Sequence, residues 1–246
     1  MDFLVWSTLW STCALSAPGS ELVSCWPLNR TLADTAPDLA ASVDIMLRRL
    51  GRPKAGEDQV RNWVGNGIEV LVGRALGPTV SEDEALRRRA LELFLPAYRA
   101  NNGRHARLYP GVEAGLQRLT ARGVKLACVT NKPRAFTLPL LVALGIRSRF
   151  SAVVSGDDTA AKKPDPAPVH RALELLDASP ARALFVGDSV HDVEAGRRAG
   201  LPVACVPYGY NHGEHISRAK PDHIVDSLLE IETVLISLLD GTEGTP

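Results

Sequence analysis

The chain has 246 residues, 45% of them hydrophobic, with 28 basic against 28 acidic side chains and an isoelectric point near 7.0. That length suits one sizeable domain or a core with a smaller insert, and the apolar content excludes global disorder. Balanced charge gives no support for a general affinity toward nucleic acid or an anionic membrane, so any anion chemistry belongs to a local site.

In chain order, the first stretch to account for is residues 1–19. It is apolar and passes through ALSA, a possible small-residue cleavage site. A secretory signal begins with positive charge, and no Lys or Arg precedes Arg30, so the stretch reads as an atypical N-terminal segment rather than a leader. No later apolar run reaches the roughly 18 residues a membrane span needs. Cys13, Cys25, Cys128 and Cys205 show no CxxC spacing. They predict small buried hydrophobes in a reducing cytoplasm, not a disulfide framework.

Residues 20–26 (SELVSCW) can form a first strand through Leu22, Val23, Cys25 and Trp26. Between 36 and 109 the pattern turns helical and no strand stands out. Leu39, Val43, Met46, Leu47 and Leu50 follow helical spacing up to Gly51-Arg52-Pro53; Trp63, Val64, Ile68, Val70, Leu71 and Leu76 suggest more helix, and 85–98 another. From about 120 onward short β-rich runs (125–129, 152–154, 183–186, 202–206, 223–225) alternate with helical patterns at 135–144 and 167–176, another ending near Gly200, and a final one. Nearly continuous apolar strands separated by helices predict a parallel sheet covered on both faces. The expected architecture is α/β: a three-layer parallel-sheet core of residues 20–35 and 107–240, an inserted all-helical unit at 36–106, and a frayed tail at 241–246.

In open parallel sheets reactive groups sit just past the carboxyl ends of the strands. Three such ends carry polar residues. Thr130-Asn131-Lys132 follows the 125–129 strand, and its hydroxyl, amide and backbone N–H groups could cradle phosphate oxygens or merely cap the next helix. Gly156-Asp157-Asp158 leads on to Lys162-Lys163-Pro164, where Pro164 stiffens the backbone and lets the Lys163 ammonium be aimed into a crevice. Asp188 and Asp192 follow the 183–186 strand, and two carboxylates four residues apart at a strand-to-helix turn repel each other unless a cation such as Mg²⁺ lies between them. Taken alone, Asp188 reads equally well as a helix cap.

The order VTNK, KKPDPAP, VGDSVHD is similar to motifs two, three and four of the haloacid-dehalogenase superfamily, and the helical insert resembles that superfamily's cap. TLADTAPDLA (31–40), VRNWVGNG (60–67) and PYGYNHGE (207–214) resemble its phosphoglycolate phosphatases, and the similarity covers 31–235. The resemblance implies phosphoryl transfer through an aspartyl-phosphate, with Mg²⁺ as cofactor and a small phosphorylated metabolite as substrate in the cytoplasm. It involves no nucleic acid and no membrane, and it sets no oligomeric state. By position it implies Asp188 as metal ligand, Asp192 as its supporting carboxylate, Thr130 and Asn131 as the phosphate-holding pair, and Lys163 as the charge-screening lysine. Arg61 and Asn66, in the insert, become candidates to touch the substrate, although Asn66 between glycines also suits a turn.

The first motif departs from the pattern. The superfamily reads DxDGT there; this chain reads Pro27-Leu28-Asn29-Arg30-Thr31. Pro27 offers neither carboxylate nor backbone donor, and the Asn29 amide cannot shuttle protons, although its backbone carbonyl could still face a metal. Arg30 replaces a glycine, which predicts crowding near the phosphate. Asp34, three residues past Thr31, is about a helical turn too far to stand in. An abrupt departure before Thr31 suggests either an altered or misassigned start, or a phosphatase fold that binds phosphorylated ligands or partners without turning them over. A zinc site from His212 and His215 is the weaker reading of HGEH, which lacks further convergent ligands.

Overall fold

The computed structural model describes residues 21–78, 83–209 and 214–240. The expectations for segment 1–19, Cys13, His212 and the tail lie outside the described residues. Six strands form one sheet: β1 (Val23–Trp26), β4 (Lys125–Val129), β5 (Ala152–Val154), β6 (Ala183–Gly187), β7 (Val203–Cys205) and β8 (His223–Ile224), in the order β5-β4-β1-β6-β7-β8. All neighbours pair in parallel. The order reverses at β1, which lies between β4 and β6, so the carboxyl ends of these three strands open onto one crevice.

Both faces of the strands are apolar, as buried parallel strands require. Trp26, Leu126, Cys128, Leu184 and Val186 point to one face, covered by α5 (Val112–Ala121), α6 (Arg134–Ala143) and α9 (Ile231–Asp240). Val23, Cys25, Ala127, Val129 and Phe185 point to the other, covered by α7 (Ala167–Leu176) and α8 (Val190–Arg198). This period-two alternation makes the three-layer α/β sandwich. Cys25, Cys128 and Cys205 are buried free thiols, and burial pushes Cys25 and Cys128 up to about 12.

Among the described residues, four helices lie between the first strand and residue 102: α1 (Ala36–Arg49), α2 (Glu57–Trp63), α3 (Ile68–Leu76) and α4 (Glu84–Asn101). Their apolar stripes close a separate cluster that includes Leu39, Val43, Met46, Val60, Leu71 and Phe94, joined by Phe136 of α6. The sequence pattern runs helix straight through 63–76, but the chain leaves helical geometry between Trp63 and Ile68 at Gly65 (φ 129°) and Gly67 (φ 97°). Val70 is exposed rather than packed.

A second correction concerns strands. The two connections to the helical region run side by side as an antiparallel pair, β2 (Ala33–Asp34) with β3 (Arg107–Leu108). Two residues per strand are too few to show a period in sequence. Asp38 fixes the returning connection: its buried carboxylate accepts from the N–H groups of Gly103 (2.7 Å), His105 (2.7 Å) and Ala106 (3.3 Å). Asp38→Ala strands these donors and is expected to lower the unfolding free energy by about 3 kcal/mol in urea titration, with Asp38→Asn losing less. Among the described residues, no helix is long and apolar enough to cross a membrane.

Candidate active site

The crevice at the ends of β1, β4 and β6 is a cavity of about 80 Å³ roofed by the helical region. Pro27, Asn29, Thr130, Asn131, Lys163, Asp188 and Asp192 all line it, so residues far apart in sequence meet there as the three-motif pattern implies.

Its floor is a buried network. Lys163 Nζ donates to Asp192 Oδ1 (2.7 Å) and to the Val129 carbonyl (2.8 Å), and both partners of the ion pair are almost wholly enclosed. The other Asp192 oxygen accepts from Ser189 Oγ (2.7 Å) and from the backbone N–H groups of Ser189 (3.2 Å) and Asp188 (3.3 Å). Asp192, not Asp188, therefore closes the start of α8. Burial alone would raise the Asp192 carboxyl, but the Lys163 charge and these hydrogen bonds outweigh it and hold the group below the ordinary carboxylate range. Asp188 moves the opposite way: burial and the Asp192 charge push it up, against the pull of Thr31, Arg30 and Lys163. Thr31 Oγ1 donates to Asp188 Oδ1 at 2.6 Å. Gly209 lets the following loop press on Asp188, since a Cβ there would lie 2.2 Å from that residue's own Cβ.

Thr130 and Asn131 are arranged differently from the expectation of freely available groups. The Asn131 amide donates to the Lys163 carbonyl and accepts from its N–H, both at 3.0 Å. It is a brace that positions Lys163. The Thr130 N–H is spent on Val154 and the Lys132 N–H on Thr130 Oγ1. What remains toward the cavity is the Thr130 hydroxyl proton and the Asn131 N–H, which makes no hydrogen bond among the described residues. Neither residue caps α6, whose N-cap is Pro133.

Arg61 and Asn66 are not among the lining residues. Arg61 grips Asp34 (2.6 and 3.1 Å) and Glu57 across the connection between helices and sheet. Asn66 Nδ2 lies 2.9 Å from His191 Nε2. The other ring nitrogen, Nδ1, is buried without a partner. His215 accepts from the Ser217 N–H at 3.3 Å and so caps the turn Ile216–Ala219.

Arg30, Lys132 and His191 also line the cavity, although the sequence reading assigned them no binding role. Lys132 is buried against Tyr98, whose hydroxyl it contacts, and burial pushes its amine down to about 7. Arg30 keeps the backbone of the glycine it replaces, at φ 69°, which costs a side-chain-bearing residue on the order of 1–2 kcal/mol. Its N–H donates to the Ala33 carbonyl at 2.8 Å, holding the turn. The crowding expected at this position is resolved by direction: the buried guanidinium reaches into the helical region and donates to the carbonyls of Arg61 (2.9 Å) and Val64. Gly65 lies above it; a Cβ there would meet the guanidinium at 3.5 Å, an ordinary contact, so its φ of 129° rather than space calls for the glycine.

Two oxygens lining the cavity, Asp188 Oδ2 and Asn29 Oδ1, are buried without a hydrogen-bond partner and could face a cation. They are a poor magnesium set. Both Asp192 oxygens are already engaged, Pro27 supplies no ligand, and no group of three His, Cys, Asp or Glu side chains that could hold a metal occurs among the described residues. Two fixed cations, Arg30 and Lys163, share the same space. The residues present do not fit the divalent ion that the motif pattern implies.

Comparison with known proteins bears on the family and the fold. The family model described as haloacid dehalogenase-like hydrolase matches residues 26–206, beginning just before the altered motif. The phosphoglycolate phosphatase of Nitrosococcus oceani is 45% identical over 83% of this chain and 92% of that protein, and that of Nitrosospira multiformis 47% over 82% and 90%. The crystal structure of a predicted phosphoglycolate phosphatase from Haemophilus somnus superposes with a TM-score of 0.82 at 35% identity, over 87% of this chain and 97% of that one. By fold, motif order and descent, the chain belongs to the haloacid dehalogenase-like hydrolases, within a lineage of phosphatases that hydrolyse phosphoric monoesters.

Proposed function

We propose that the cavity is the phosphate-monoester site of this lineage, that its ligand is a small phosphorylated metabolite, and that 2-phosphoglycolate is the first candidate. The names of the relatives support that candidate. Size supports it too: one water needs roughly 10–15 Å³ of such space, so 80 Å³ suits a phosphate with a short carbon skeleton rather than a nucleotide. The helical region acts as a cap that shields the cavity from water. Buried free thiols support a reducing, cytoplasmic setting.

In such a site the Thr130 hydroxyl and Asn131 N–H hold phosphate oxygens, Asn131 and Asp192 position the Lys163 ammonium, and Lys163 screens the gathered charge. In relatives with an intact first motif, Mg²⁺ would supply further positive charge. With the first motif intact, the ester would be hydrolysed to glycolate and phosphate through an aspartyl-phosphate.

A second reading is favoured by one observation: Pro27 lines the cavity where the nucleophile belongs. The covalent step has no carboxylate to begin from and Asn29 has no proton to exchange, so this chain binds the ester and does not turn it over. Titration calorimetry with 2-phosphoglycolate is expected to show saturable binding at one site. Thr130→Val, which removes one donor to a charged phosphate, is expected to weaken it roughly tenfold or more. Absence of both heat and thermal stabilisation would reject the site.

A further inference from the structure

We infer that the Lys132 ammonium, at the cap end of the cavity, reads a second negative charge on the ligand. The site would then select phosphate monoesters that carry a carboxylate over esters of neutral alcohols. The inference rests on the phosphate-ester reading above and adds what recognises the rest of the molecule.

The loop after β4 supplies both ends of the cavity. Thr130 and Asn131 stand at the floor with Lys163, whose charge is matched by Asp192. Lys132 is fixed by its backbone. Its N–H donates to Thr130 Oγ1 (3.2 Å), and its carbonyl accepts from the Gly156 N–H (2.9 Å) and Thr137 Oγ1 (3.0 Å). The side chain reaches the helical region, where Nζ donates to the Tyr98 hydroxyl of α4 and lies 4.8 Å from the centre of that ring. Tyr98 in turn stacks with Phe94 and Phe136, so the ammonium rests on a tightly packed partner. Lys132 and Tyr98 both line the cavity.

What surrounds this ammonium leaves it short of a counter-charge. The cap residues lining the same cavity, Leu39, Val64, Ile68 and Leu71, are apolar. Lys132 is only 6% exposed. Among the described residues its ammonium makes one hydrogen bond, to Tyr98, and no ion pair, although it has three protons to donate. The acid that acts on it is Asp38 of α1, whose two oxygens already accept from the Gly103, His105 and Ala106 N–H groups. A buried charge is costly unless it is paired, and an apolar side chain would brace the loop against α4 at lower cost. A ligand carboxylate would engage the spare donors and supply the missing charge. The phosphate has its own cation, Lys163, at the other end. A cavity of about 80 Å³ holds a phosphate and a short acid tail together.

The test is calorimetry with 2-phosphoglycolate and with its carboxamide, which keeps the shape and drops one charge. The unmodified chain is expected to prefer the acid by roughly tenfold or more, the worth of a hydrogen bond to a charged group. Lys132→Met, of similar length, is expected to cut that preference to about threefold or less, mainly by weakening the acid. Equal affinity of the unmodified chain for both ligands, or a preference that survives Lys132→Met, would overturn the inference and leave the phosphate-ester site standing. So would a variant that weakens both ligands alike, which is the result a mere brace between loop and α4 would give. Binding of neither ligand by the unmodified chain would remove the phosphate site and the inference with it. Should Lys132→Met misfold, Lys132→Gln, which keeps a donor for the Tyr98 hydroxyl, is read in the same way.

Discussion

Changing Pro27→Asp, Asn29→Asp and Arg30→Gly together is expected to raise Mg²⁺-dependent hydrolysis of 2-phosphoglycolate from background by several orders of magnitude. Each factor of ten is about 1.4 kcal/mol of barrier, and a covalent nucleophile with its proton shuttle commonly accounts for several such factors. The scaffold for them is in place. β1 pairs with β4 up to Trp26 and with β6 up to Cys25, and Pro27 just beyond lines the cavity, so an aspartate at 27 would stand at the strand end beside it. Removing Arg30 clears a cation from the metal's surroundings and restores the residue the left-handed turn favours. The two new carboxylates need a counter-ion, so the restored activity should vanish in EDTA and on Asp188→Ala. Pro27→Asp alone should recover less, because Arg30 stays and Asn29 cannot take the proton. Phosphate release at saturating substrate measures each step of the series. Restored carboxylates with no gain in rate would mean that the cavity is not a phosphatase site in another guise.

The second large effect concerns stability. Asp192→Ala leaves the Lys163 ammonium buried without its partner and strips the start of α8 of its side-chain acceptor. Breaking one member of a buried ion pair costs about 3–5 kcal/mol, a large share of a stability of roughly 5–15 kcal/mol. Urea unfolding should therefore shift far toward low denaturant. Asp192→Asn with Lys163→Met, which keeps an acceptor and discards both charges, should recover part of the loss. The pH dependence has a definite sign. Asp192 is held below its unfolded value, so its stabilisation is complete at neutral pH and is lost as pH falls below the ordinary carboxylate range. Asp188 is raised, so its burial cost is present at neutral pH and is relieved as pH falls through its elevated value. An acid profile identical in Asp192→Ala and its parent would contradict this assignment.

Much of the fold was legible in sequence because buried parallel strands are continuous apolar runs and their helices carry a clear stripe. Val23–Trp26, Lys125–Val129 and Ala183–Gly187 each alternate between two covered faces, and the polar residues just after them had to meet once the sheet formed. Side-chain partners were another matter. That Asn131 would spend its amide on the Lys163 backbone depends on two loops meeting across 32 residues. Arg61, which pairs with Asp34 rather than lining the cavity, depends likewise on the docking of α2. His191 stood in the quoted VHD motif, and its partner Asn66 lay in a glycine-flanked turn; only the packing of helices onto sheet joins them. For Arg30 a signal existed, because a motif position that demands left-handed backbone had been given a charged residue. The sequence predicted crowding there; the structure shows the side chain redirected into the helical region, where it becomes part of the cavity wall.

Whether the first motif has truly been given up is decided most directly by the unmodified chain. It should be supplied with saturating 2-phosphoglycolate and Mg²⁺ at neutral pH and followed for phosphate release. The altered motif predicts no release above the protein-free rate, together with calorimetric binding of the same ester. Robust turnover that disappears on Asp188→Ala would contradict it, because the cavity would then hydrolyse esters without a carboxylate at position 27.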